Sequence, residues 1–163
     1  MQTAIQPLVW DASSIENLPD EHFVHTESEP GVRWKTLLCS SQTPSDTFTC
    51  GVAVCAPKTG KLQLHRHKSA ELYHFIQGTG VVEIDGVAHP ARPGSVMFIP
   101  GNAEHRVKNV SETEDLKWLY VFAVDSFGEI VYEWQEDNAE LDSGTVDEVD
   151  RMKAANVSRG PGR

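Results

Sequence analysis

Basic side chains are scarce in this sequence: 14 Lys and Arg stand against 24 Asp and Glu, a formal net charge of −10. Nucleic-acid surfaces need clustered Lys and Arg to neutralise phosphates, so this balance argues against a nucleic-acid partner. No stretch approaches the roughly 20 consecutive apolar residues of a membrane span. The opening residues, MQTAIQPLVWDASS, also lack the basic-then-apolar order of a secretory leader. A cytoplasmic protein without a membrane partner is the expectation. Cysteine is sparse as well: Cys39, Cys50 and Cys55 are odd in number and contain no Cys-x-x-Cys pair. In a reducing compartment such residues read as buried small hydrophobes.

What is present describes one globular domain. Over 163 residues, 39% are hydrophobic and 23% charged, enough to bury a core. The acidity is uneven, since residues 133–150 hold eight acids and no Lys or Arg. Residues 1–30 read as an irregular arm punctuated by Pro7, Pro19 and Pro30, with a short helical turn around Ser13–Asn17. Strand-like runs follow at Val32–Leu38, Phe48–Ala56, Leu62–His67, Glu71–Ile76, Val81–Ile84, Val96–Ile99, His105–Val110 and Leu116–Val124. The turn residues between them are spaced as in an all-β sandwich or barrel, and Asp85-Gly86 marks a tight hairpin. The body is expected over 31–134. An acidic, partly disordered tail is expected over 135–163, with a thin helical pattern at Thr145–Ala155.

The stretch LHRHKSAELYHFIQG, residues 64–78, concentrates the chemistry. Side chains alternate along a strand, so His65 and His67 share a face with Cα atoms about 6.6 Å apart, and Gln63 is in phase with them. Glu71 follows a three-residue turn and can lie beside the pair. A histidine-rich strand explains this stretch as well as a metal site does. The second stretch, GSVMFIPGNAEHRVKN (94–109), adds His105 inside a frame of Gly, Pro and Asn.

Together the two stretches resemble the paired motifs of the cupin family. Gly60 to Gly78 follows G-x4-H-x-H-x3-E-x6-G, and Gly94 to Asn109 follows G-x5-P-x4-H-x3-N, with fifteen residues between. The first gap is one residue short of the usual pattern, and Gly101-Asn102 stands where P-x-G is usual. The resemblance spans about residues 45–125. It implies an all-β jelly-roll barrel (a double-stranded β-helix). It also implies one divalent transition metal held by His65, His67, Glu71 and His105. Three imidazoles and a carboxylate suit borderline ions; iron, manganese or nickel is favoured because an octahedral ion keeps two positions open, and zinc, cobalt or copper also fits.

Tyr73 shares the Glu71 face, where a phenol beside a cation can act as general base or simply pack with its hydroxyl satisfied. Trp118, Tyr120 and Phe122 form one face of the most apolar strand, either a pocket wall or the inner side of a strand whose other side forms a homodimer interface. Met97 and Ile99 are further pocket candidates. His74 points away from the site, to the surface or a subunit interface. His89 reads as a loop residue, and His22 and His25 belong to the arm. The implied activity is metal-dependent lyase, decarboxylase or isomerase chemistry on a small organic metabolite, with the metal as Lewis acid. The H-x-H-x-x-x-E-x-Y order is similar to that of cupin lyases acting on dimethylsulfoniopropionate. An iron cupin dioxygenase or a non-catalytic metabolite-binding cupin is the alternative.

Overall fold

A computed structural model describes residues 5–23 and 31–135. A five-residue helix, α1 (Ala12–Glu16), opens the chain; Asp11 caps it, its carboxylate accepting from Ser14 N–H at 2.7 Å. The rest is strand: β1 (Glu21–His22), β2 (Val32–Leu38), β3 (Thr49–Cys55), β4 (Lys61–Arg66), β5 (Glu71–Gln77), β6 (Gly80–Ile84), β7 (Val87–Ala91), β8 (Val96–Ile99), β9 (His105–Asn109), β10 (Leu116–Phe122) and β11 (Glu133–Trp134). They form a six-stranded sheet, β1-β2-β3-β10-β5-β8, and a five-stranded sheet, β11-β4-β9-β6-β7, antiparallel throughout. The fold is all-β and cupin-like, but neither sheet closes on itself, so the expected barrel is two facing open sheets.

Alternation builds the core between them. Along β10, Leu116, Trp118, Tyr120 and Phe122 are buried while the residues between are half-buried. Along β5, Glu71, Tyr73 and Phe75 point inward. Phe75 and Trp118 are almost fully enclosed, and burying each aromatic contributes about 1.5–3 kcal/mol or more.

Two turns deserve mention because they shape the site. Asp85 and Gly86 both take positive φ (49° and 78°), as a two-residue hairpin requires. Asn102 takes φ 67° in the turn before β9 and donates its N–H to His67 O at 2.7 Å. Beside it, a Cβ on Gly101 would meet Lys68 O at 2.2 Å, so only glycine lets this turn close onto the end of β4.

Several expectations are corrected. His89 lies within β7, not in a loop. The arm contributes the two-residue β1, and β11 falls at the end of the body expected over 31–134. Gln135 N–H also donates to Leu64 O at 2.9 Å, so the chain is still paired at 135. His25, the Thr145–Ala155 pattern and residues 136–163 of the tail lie outside the described residues.

Candidate metal centre

His65 sits near the end of β4, His67 just beyond it, Glu71 opens β5 and His105 opens β9. Pairing sets His65 directly opposite His105. The ring nitrogens of the three histidines converge within 4.8 Å of one another, all in buried positions. Glu71 Oε2 lies 3.4 Å from Nε2 of His67 and 3.4 Å from Nε2 of His105.

Each imidazole is oriented by a backbone carbonyl. Nδ1 of His65, His67 and His105 faces the carbonyls of Gln63 (2.7 Å), Ser69 (2.8 Å) and Ala103 (2.9 Å). A carbonyl only accepts, so Nδ1 carries the proton and Nε2 presents its lone pair. All three Nε2 atoms and Glu71 Oε2 are buried without a hydrogen-bond partner. Four lone-pair donors facing one another are unfavourable unless a cation lies among them, so these residues fit a metal ion. Burial, followed by the neighbouring charges of His105 and His67, holds the His65 pKa well below the usual imidazole range, which keeps it in the ligating form. The three-histidine site is capable of coordinating a divalent transition metal such as iron, manganese, nickel, zinc, cobalt or copper.

A partly open cavity lies beside Glu71. Tyr73, Trp118, Tyr120 and Phe122 line it, and no Lys or Arg does. Burial first, then the charge of Glu71, push the Tyr73 phenol well above its usual range. The structure places the other three pocket candidates elsewhere. Ile99 is fully buried in the core, and Met97, opposite Tyr73 on β8, packs against that core. Gln63 is displaced by a bulge: Leu62 pairs with Val107 and His65 with His105, so three steps along β4 match two along β9. Its carbonyl holds His65, while its side chain borders a separate outer cleft with Lys61 and Trp134.

Other aromatic walls come from segments that carried no site signal in the sequence. Tyr132 places its ring 5.0 Å from that of His65 and 5.5 Å from that of His67, and stacks on Trp134 at 5.3 Å. Phe23, Trp34 and Phe127 complete the wall. The signal available was Tyr132-Glu133-Trp134, an alternation of aromatic and charged residues inside an acidic run. Its register on β4 is reinforced by Glu133 accepting from Arg66 at 2.8 Å.

The fold is cupin-like, and its three-histidine cluster is capable of holding a divalent metal. Residues 51–122 match the family described as Cupin domain, and the chain is similar to the cupin superfamily, with weaker similarity to cupin dimethylsulfoniopropionate lyases. It is 40% identical over 101 residues, 62% of this chain, to a dimethylsulfoniopropionate lyase from Ruegeria pomeroyi, and spans 64% of that relative's length. Its fold is similar to a structure from work on the DMSP lyases RdDddP and RnDddQII (TM-score 0.62, 19% identity, 76% of this chain and 65% of that one). A cupin 2 domain-containing protein from Halorhodospira halophila gives TM-score 0.57 at 20% identity, covering 87% of this chain and 91% of that one.

Proposed function

We propose that the protein is a metal-dependent lyase that eliminates a leaving group β to a carboxylate, with His65, His67, Glu71 and His105 as ligands and Tyr73 as general base. The observation that supports this reading is that Tyr73 and Glu71 line the same cavity, which adjoins four buried donor atoms without hydrogen-bond partners. A divalent cation held there supplies Lewis-acid stabilisation of a substrate carboxylate and a positive charge that favours the phenolate form of Tyr73. Tyr73 then takes the proton from the carbon next to the carboxylate, the electron pair forms the double bond, and the leaving group departs with the bond to the β carbon. Aromatic rings and Glu71, without Lys or Arg, suit a positively charged leaving group. The aromatic wall also keeps water from the transferring proton.

The similarity to the Ruegeria lyase makes dimethylsulfoniopropionate the first substrate to test. Metal-loaded protein is expected to release dimethyl sulfide and acrylate in equal amounts without oxygen. Tyr73→Phe should lower turnover by about 10²–10⁴-fold with metal retained, the usual scale for loss of a general base. Substrate-dependent oxygen uptake would instead identify a dioxygenase, and equal turnover in Tyr73→Phe would remove the base assignment.

A further inference from the structure

The six-stranded sheet orders its inward side chains in rows across the strands. Along β5 the inward residues are Glu71, Tyr73 and Phe75, and β10 sets Phe122, Tyr120 and Trp118 opposite them in turn. Trp118 pairs onward with Ala53 of β3, and Ala53 with Trp34 of β2. The last row therefore reads Trp34, Ala53, Trp118, Phe75, on the far side of Tyr73 from Glu71. Within it two indoles flank a single methyl group, and Trp34, Ala53 and Trp118 all line the cavity beside Glu71.

Both indoles are buried, Trp34 at 7% exposure and Trp118 at 1%. Neither Nε1–H has a hydrogen-bond partner among the described residues. Trp10 shows the ordinary case, donating to Leu37 O at 3.0 Å. Buried polar groups are nearly always satisfied, and an indole nitrogen can only donate, so two orphans in one row call for an acceptor. The metal end has the opposite character, since its orphaned atoms present lone pairs. The cavity is polarised along its length.

We infer that the row of Trp34, Ala53 and Trp118 is a subsite for an uncharged oxygen acceptor at the end of the bound molecule remote from the metal. A carbonyl, ether or hydroxyl oxygen has two lone pairs for the two N–H groups. An anion there would share the cavity with the Glu71 carboxylate, and no Lys or Arg on the walls would offset it. Ala53 gives the oxygen its room, because a larger side chain would fill the space between the indoles. That the other end is a carboxylate on the metal rests on the elimination reading above.

Indole N–H resonances of the full-length, ¹⁵N-labelled, zinc-loaded chain test this, with Trp34→Phe and Trp118→Phe assigning the signals. The probe is 4-oxopentanoate, and its control is 4-methylpentanoate, which puts a methyl group in place of the carbonyl oxygen. Neither has a leaving group β to its carboxylate, so the outcome is independent of any elimination. The ketone is expected to move the Trp34 and Trp118 Nε1–H protons downfield and to leave Trp10 in place, whereas the control moves neither. Each Trp→Phe change should weaken binding of the ketone by about tenfold and of the control by less than about threefold, as expected for loss of one hydrogen bond. Zinc content confirms that each variant folds, and the shifts in the parent chain do not depend on the variants. A ketone that fails to bind, binds no better than the control or leaves both indole signals unmoved overturns the subsite, even where dimethyl sulfide is released. Indole shifts in a protein that eliminates nothing would leave the subsite standing and remove the lyase reading alone.

Discussion

The imidazoles of the site lean on peptide carbonyls two residues away in sequence, and this has a consequence at the scale of single residues. Side-chain substitution cannot remove those supports. Gln63→Ala is expected to leave metal affinity within about threefold of the parent, because only the Gln63 carbonyl reaches His65. His105→Ala removes a donor atom and should weaken affinity by more than about 100-fold, beyond the 10–100-fold typical of lost outer-shell partners. Competitive titration against a chelator separates the two. Equal losses in both variants would mean that the Gln63 side chain, not its carbonyl, supports the ligand. The gathering of the three histidines was legible because they sit in two ordered motifs. The displacement of Gln63 was not legible, since a bulge is a property of two paired strands and one strand alone shows only the period of two.

At the scale of elements, the turn of the second motif positions the first. Gly101 passes so close to Lys68 O that no side chain fits, and Asn102 N–H holds His67 O. Gly101→Ala should therefore push the turn off the end of β4, destabilise the fold by about 1–3 kcal/mol and weaken metal binding in the same variant. Chemical denaturation with and without metal would show this; an unchanged midpoint would mean the turn yields freely. The strands that the sequence revealed are those with several alternating apolar residues, such as β5 and β10. β7 escaped notice because VAHPA contains His89 and Pro90 and faces solvent for most of its length. As an edge strand it can accommodate a proline. β1 and β11 have two residues each, too short for any period to appear.

For the molecule as a whole, stability in alkali is set by acids buried in their neutral form. Burial raises the thiol pKa values of Cys50 and Cys55 above their ordinary 9.0, and the Tyr120 phenol above its ordinary 10.0. Below those ordinary values both folded and unfolded chains are protonated, and stability is fully present. Above them the unfolded chain loses protons first, so stability falls as pH rises. Thermal midpoints should decline from about pH 9 upward, with a shallower slope in Cys55→Ala than in the parent. An unchanged slope would show that Cys55 ionises freely in the folded protein. Sequence spacing indicated two-layer β architecture in outline, but which sheet edges remain open depends on the return of residues 127–135 onto β4, a long-range contact that no local pattern encodes.

The aromatic wall has one more consequence. Of the four tryptophans, Trp34 and Trp118 line the cavity, and Trp134 stands 5.2 Å from the His65 ring, while Trp10 donates to Leu37 O away from it. Most of the protein's tryptophans therefore surround the three-histidine cluster, and its ultraviolet emission is a built-in gauge of what that cluster holds.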